Sequence, residues 1–186
     1  FGEVTSFDPL TEGTNTMNII GLCVYDKLYN MNQDGSLEME LAESVEYVGD
    51  DGMTLEIKLK SGIKFHNGDE LKASDVAFSL TTLQNTPGAK SNASQFDPDN
   101  FVIEDDYTIV LATKEPFAPF LAILCHPTMS IFQQSFYEEH SAAGDLDLVE
   151  NGTGPFMLTE WNEGENIVVT RFDDYFDGPA KLRTIN

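Results

Sequence analysis

The chain has 186 residues, 41% of them hydrophobic and including 13 Phe and 6 Tyr, which is enough apolar material for a packed core and argues against a wholly disordered segment. Ten Lys plus Arg face 32 Asp plus Glu, a formal charge of −22, which argues against nucleic acid and anionic lipid as partners. Such a balance suits a well-solvated surface, or attraction of cationic ligands.

Glu3 to Phe7 reads as a short strand ended by Asp8-Pro9, because the residue before proline is held extended. Thr16 is placed to cap a helix with an apolar stripe of Ile20, Val24 and Leu28, flanked by Ile19 and Leu22. Asn30 to Gly35 carries oxygen side chains at alternate positions, as a calcium loop does. Leu41 stands where such a loop needs a bidentate Glu, so the run reads as a turn. Val45 and Tyr47 alternate with polar residues, and Asp50-Asp51-Gly52 supplies turn chemistry. Leu55, Ile57 and Leu59 alternate with Glu56, Lys58 and Lys60, the pattern of a half-buried strand. Ile63 and Phe65 continue that alternation past Ser61-Gly62, and Asn67-Gly68 turns the chain again.

A helix is expected from Asp75, with Val76, Leu80 and Leu83 on one face. Thr86 to Asn100 reads as a surface loop. Phe101–Ile103 and Tyr107–Ala112 read as strands around Glu104-Asp105-Asp106. A short apolar helix ends at Leu124 and is stopped by His126-Pro127. Ile131 to His140 reads as a helix with Phe132 and Phe136 four apart, and Ser141 to Gly152 as a loop. Phe156–Trp161 and Ile167–Phe172 form a hairpin turned by Asn162-Glu163-Gly164, with one more strand beginning before Asn186. The class is α+β (mixed α/β) with mostly antiparallel strands.

The chemistry-bearing residues form no catalytic pattern. His66, His126 and His140 lack the H-x-x-x-H or Cys spacing of a zinc site. Structural hydrogen bonding is the expected role of His66. No G-x-S-x-G elbow marks a nucleophile. Gly152-Thr153-Gly154-Pro155 is neither phosphate-loop motif, and Pro155 removes an amide donor. Cys23 and Cys125 have no metal or redox spacing and read as buried free thiols, with a disulfide between them as the alternative. A hydrolase needs a nucleophile with a base, or a metal, and neither is marked; the expectation is no enzyme and no cofactor. Phe1-Gly2-Glu3-Val4 lacks the regions of a signal peptide, and no run is long enough to span a membrane.

Thr54 to Leu83, with GIKFHNG at 62–68 and ASDVAFS at 73–79, followed by Gly152-Thr153-Gly154-Pro155-Phe156, resembles the peptide and nickel class (family 5) of extracellular solute-binding proteins of ABC importers. Thr5-Ser6-Phe7-Asp8-Pro9, Val24-Tyr25-Asp26-Lys27-Leu28, Leu41-Ala42-Glu43-Ser44 and Glu115-Pro116-Phe117 fall in the family's order. Glu40, Val45 and Lys72 depart from its usual Pro, Trp and capping Thr, so Ser74 is expected to cap the helix. The resemblance implies a periplasmic-binding-protein class II-like fold. Residues 1–15 and 130–186 would be part of lobe I, which carries the ligand cleft, and 16–129 the family's extra domain. Family members are commonly more than twice this length, so a fragment without the second lobe is expected.

The implied function is capture of extracellular oligopeptides or dipeptides for an ABC permease and its ATPase, by a monomer in the periplasm or lipid-anchored outside the cytoplasmic membrane. A nickel chelate, haem or sugar is the alternative ligand, and a surface sensor or adhesin the alternative role. By the same resemblance Val4 and Thr5 offer main-chain groups to a peptide, Ser6 shares their strand, and Glu3 meets a ligand cation. His126-Pro127-Thr128-Met129-Ser130 resembles the H-P-x-x-S run of oligopeptide binders. It places His126 and Thr128 at the hinge or cleft, and Met129 as an adaptable pocket residue.

Overall fold

The computed structural model describes residues 6–8, 10, 15–86, 93–162 and 165–186. It divides into two compact units that interleave along the chain. The first comprises Phe1–Asp26, Gly62–Leu71 and Phe132–Asn186; the second comprises Lys27–Ser61 and Lys72–Ile131. Residues 16–26 and 62–71 fall in the first unit, and residues 130 and 131 in the second.

Helix α1 (Asn15–Val24) opens the first unit. It begins one residue before Thr16 and ends four residues short of Leu28. The reason is at its last turn: the Val24 carbonyl accepts the Gly154 N–H at 2.8 Å instead of one from a further helical residue. Leu22, expected beside the stripe, is exposed.

The second unit starts with hairpin β1 (Tyr29–Met31) and β2 (Leu37–Met39), turned through Asn32–Ser36 as expected. A four-stranded antiparallel sheet follows, ordered β3 (Ala42–Tyr47), β4 (Thr54–Leu59), β6 (Thr108–Ala112), β5 (Val102–Asp105). The alternation in β4 is realised, with Leu55, Ile57 and Leu59 buried. Ile109 and Leu111 of β6 lie beside them, pairing with Ile57 and Leu55. Helix α2 (Ala73–Asn85) packs on β5 and β6 through Val76, Leu80 and Leu83. Each such buried aliphatic side chain contributes about 1.5–3 kcal/mol.

Helix α2 begins two residues before Asp75, and Ser74 is not its cap. Lys72 occupies the cap position, and the Asp75 carboxylate accepts the Lys72 N–H at 2.9 Å. An acid at the third helical position thus satisfies the entry backbone from inside the helix. The stretch expected as surface loop carries two fully buried residues, Ala93 and Phe96. Phe96 stacks on Phe120 at 6.0 Å, the first residue of α3 (Phe120–Ile123), so an apolar anchor overrides the polar composition around it.

The first unit resumes with α4 (Gln134–Ala143), which starts three residues later than Ile131. Phe132 is buried before the helix, and the Gln133 side chain is drawn into hydrogen bonds described below. Gly144, at φ +76°, ends the helix in the left-handed region. Strands β7 (Phe156–Asn162), β8 (Asn166–Arg171) and β9 (Thr184–Ile185) form an antiparallel sheet in that order. The expected hairpin is present, with a register shift between Leu158 and Glu160. Ile63 and Phe65 are buried, yet only an isolated bridge, Lys64 to Glu70, represents the expected strand.

Cys23 and Cys125 are free thiols, half-buried rather than buried, and burial pushes both thiols up. Burial also pushes Tyr25, with help from Glu150 and Asp8, and Tyr29 well above the ordinary phenol range. Both residues hold their protons more tightly folded than unfolded. Their contribution is therefore complete below about pH 10 and is lost as pH rises above it, at up to about 1.4 kcal/mol per pH unit for each tyrosine. Urea unfolding between about pH 9 and about pH 11 is expected to show this loss, and Tyr25→Phe to reduce its slope. A midpoint that does not move over that range would contradict the burial of these hydroxyls.

Candidate functional site

The residues expected to meet ligand fall in two places. Glu3, Val4 and Thr5 lie outside the described residues. Ser6 is buried in the first unit; its hydroxyl donates to Asp147 and accepts the Asp8 N–H at 3.0 Å. Phe7 N–H donates to the Asp147 carbonyl at 2.9 Å, and its ring meets Trp161 edge-on at 4.9 Å. The Ser6 side chain is thus committed to the fold, and Asp147 receives both the side chain of Ser6 and the backbone of Phe7.

His126, Thr128 and Met129 belong to the second unit. Pro127–Met129 is one 3-10 turn, and the Nδ1 atom of His126 accepts the Thr128 N–H at 3.3 Å and lies 2.8 Å from the Thr128 hydroxyl. That geometry is a local cap. The imidazole is exposed, whereas Met129 is 1% exposed and fills core.

The densest polar arrangement is elsewhere in the first unit, where the two most recognisable sequence segments meet. His66 Nδ1 lies 2.9 Å from Glu150 Oε2, and Nε2 lies 2.9 Å from the Gly154 carbonyl. Both side chains are almost fully buried, at 5% and 4% exposure. Phe172 covers the ring edge-on at 5.1 Å. Glu150 Oε1 accepts the Leu158 N–H at 2.6 Å. Thr153, fully buried, donates to Asp26 Oδ2 at 2.9 Å, and Tyr175 donates to the other oxygen of Asp26 at 3.3 Å.

Beside it lies an amide cluster. Asn151 Nδ2 and Asn67 Nδ2 each donate to Gln133 Oε1 at 2.7 Å, Asn151 Oδ1 accepts the Asn67 N–H at 3.0 Å, and Gln133 Nε2 donates to Asp69 at 2.9 Å. His66 has the structural role expected of it. Glu150, Asn151, Gln133 and Asp26 were missed; the one signal was that Asn151 directly precedes the glycine motif.

Glycine is required in that motif by space. A Cβ on Gly152 would stand 1.9 Å from the Val24 carbonyl oxygen, and one on Gly154 would stand 2.6 Å from that of Cys23. The segment therefore crosses the end of α1 in backbone contact. Every polar group here has a protein partner, and no group of three or more His, Cys, Asp or Glu suited to a metal occurs among the described residues. The arrangement holds structure. An open groove of about 460 Å³ adjoins it, with Glu150 in its lining beside Phe136, His140, Leu148, Leu158 and Trp161, and includes none of the expected ligand residues.

Residues 36–186 match the model of the bacterial extracellular solute-binding proteins, family 5 Middle. The chain belongs to this family. Family 5 relatives include the glutathione-binding protein GsiB of Salmonella paratyphi A, 27% identical over 183 residues, covering 97% of this chain and 35% of that protein. Solved structures with the same fold include the periplasmic binding protein AgaA of A. tumefaciens R10 with agropinic acid, at TM-score 0.83 and 26% identity over 98% of this chain and 37% of that one. The periplasmic binding protein DppA of Helicobacter pylori, with the peptide STSA, gives TM-score 0.82 and 26% identity over 98% and 40%. The fold is that of the periplasmic binding proteins, mixed α/β with antiparallel sheets. The chain spans about a third of the length of the curated relatives it matches. No helix among the described residues is long and apolar enough to cross a membrane.

Proposed function

We infer that the chain serves, within a longer protein, as part of the substrate-binding component of an ABC importer that captures extracellular oligopeptides or dipeptides and hands them to a membrane permease. The observation that carries this reading is the match of 98% of the chain to a binding protein solved with a peptide. The curated relatives named for glutathione, itself a short peptide, support the same ligand class. The first unit is read as part of the cleft lobe and the second as the additional domain. The main chain around Val4 and Thr5 would pair with peptide backbone, and Glu3 would meet the ligand's ammonium group. Ser6 would act as the anchor of that segment. His126, Thr128 and Met129 would shape the turn at the hinge, and no covalent step is involved. The protein would work as a monomer outside the cytoplasmic membrane, lipid-anchored or periplasmic.

A small non-peptide acid is the second reading, supported by the relative solved with agropinic acid. Native mass spectrometry of the full-length protein, purified without denaturation, separates the two. A heterogeneous set of bound masses that fragment as short peptides is expected. One non-peptide mass would replace the ligand class, and protein that stays empty when offered peptides would overturn the transport reading.

A further inference from the structure

The structure assigns a site of spontaneous covalent modification: the carboxamide of Asn67, attacked by the backbone nitrogen of Gly68 in the folded protein, while the same dipeptide at Asn151-Gly152 is held inert. The chain has these two Asn-Gly dipeptides, and the fold of the first unit brings them together. Both asparagines donate through Nδ2 to one Gln133 Oε1 at 2.7 Å, and the Asn67 N–H donates to Asn151 Oδ1 at 3.0 Å.

The step needs only water as co-reactant. The Gly68 nitrogen forms a bond to Cγ of Asn67, and the Cγ–Nδ2 bond breaks. The side-chain NH₂ leaves as ammonia with the proton lost by the Gly68 amide, which closes a five-membered imide. Water then opens that ring. Attack at Cγ gives aspartate, and attack at the main-chain carbonyl gives isoaspartate. Asparagine is thermolabile for this reason, and a following glycine presents no Cβ to obstruct the approach. Local sequence therefore ranks the two dipeptides equally.

The fold separates them. Asn67, Gly68 and Asp69 are exposed, so base and water reach the reacting atoms, whereas Asn151 is 3% exposed. A Cβ built on Gly68 meets nothing within 4 Å, so the peptide between residues 67 and 68 has room to turn. Gly152 has no such room, since a Cβ there would stand 1.9 Å from the Val24 carbonyl oxygen. Its N–H is also shared between His66 Nδ1 at 3.3 Å and Glu150 Oε2 at 3.4 Å. The turn at 67–68 leaves the loop in place, because Ile63, Phe65 and Leu71 stay buried on either side of it.

Asn67 is restrained by hydrogen bonds at the surface. Nδ2 donates to Gln133 and, at 3.2 Å, to Asp69; Oδ1 accepts the Asp69 N–H at 3.0 Å; and the Gly68 N–H donates to the Phe65 carbonyl at 2.9 Å. Each such bond slows the reaction by about fivefold, while Asn151 is freed only when the packing around it opens. The product undoes the cluster: a carboxylate at position 67 would face Gln133 Oε1 and the Asp69 carboxylate, with no hydrogen to give either.

Peptide mapping by mass spectrometry of the 186-residue chain, aged at mildly alkaline pH and scored for isoaspartate by enzymatic methylation, tests this. In the folded chain, conversion is expected at Asn67 and not at Asn151. In urea both are expected to convert, at similar rates. Gln133→Ala removes one restraint and is expected to speed conversion of Asn67 about fivefold. Asn151 in the same digest reports whether that variant stays folded. Asn67 intact in the folded chain after the urea-treated chain has converted would overturn the assignment. So would Asn151 converting as fast as Asn67 in the folded chain, or an unchanged rate at Asn67 in a Gln133→Ala chain whose Asn151 stays intact.

Discussion

Gly152→Ala is expected to be among the most damaging single-methyl additions to this chain, costing at least about 3 kcal/mol. The added carbon would stand 1.9 Å from the Val24 carbonyl oxygen and 2.7 Å from its carbon, well inside any real contact. Both partners are backbone, so no rotamer change relieves the clash. The only relief is to lift residues 152–154 off the end of α1. That lift breaks the 2.8 Å bond from Gly154 N–H to Val24 and pulls Thr153 from Asp26. Overpacking alone costs about 1–3 kcal/mol and each lost buried bond about 1 more. For a chain of this size the melting temperature would fall by roughly 6–12 °C. Gly21→Ala is the control: a Cβ there meets nothing within 4 Å and replaces glycine inside α1. It is expected to be neutral or to stabilise by up to about 1 kcal/mol. Equal melting temperatures for the two variants would refute the close crossing.

The contrast between these glycines explains which parts of the molecule were legible in the sequence. Period-two alternation marked β4 because Leu55, Ile57 and Leu59 face one core, a local relation that the sequence states directly. Turns at Asp50–Gly52 and Asn67-Gly68 were legible for the same reason: Gly52 and Gly68 have positive φ. Helix limits were not. Val24 ends α1 because Gly154, 130 positions later, supplies its partner. Ile131–Gln133 stay outside the helix because Phe132 is buried and Gln133 serves Asn67, Asn151 and Asp69. Phe96 is core inside a polar stretch because Phe120 is there to receive it. Each miss is a long-range contact overriding a local pattern.

Side-chain burial at two of the expected ligand residues is likewise set by distant partners. Resemblance pointed to Ser6 and Met129, but the side chains at both positions are buried by partners that no local spacing reveals, Asp147 for the first and the packed core of the second unit for the other. The glycine motif that carried the resemblance is legible as a motif, and its physical reason is steric and hydrogen-bonded: two glycines for close approach, a threonine for Asp26, an asparagine before them for Gln133.

Asn151→Asp turns that last contact into a test of polarity at constant shape. The side chain is 3% exposed and its amide works in both directions. Oδ1 accepts the Asn67 N–H at 3.0 Å, and Nδ2 donates to Gln133 Oε1 at 2.7 Å. A carboxylate keeps the first bond and replaces the second by two oxygens face to face. Gln133 cannot resolve this by turning its amide over. Its oxygen would then meet Asp69, which now accepts from Gln133 Nε2 at 2.9 Å, and Asn67 Nδ2 would lose the shorter of its two bonds, keeping only Asp69 at 3.2 Å. The conflict moves around the cluster without disappearing. A buried charge with one donor left and an oxygen facing it costs about 3 kcal/mol, so the variant is expected to lose that much in urea unfolding at neutral pH. The sign of its pH dependence identifies the cause. Protonation restores a donor toward Gln133, so the gap between variant and parent is expected to narrow as pH falls toward about 4. A gap that is constant with pH would point to altered packing in place of lost hydrogen bonding, and no gap at all would show that the cluster is open to water.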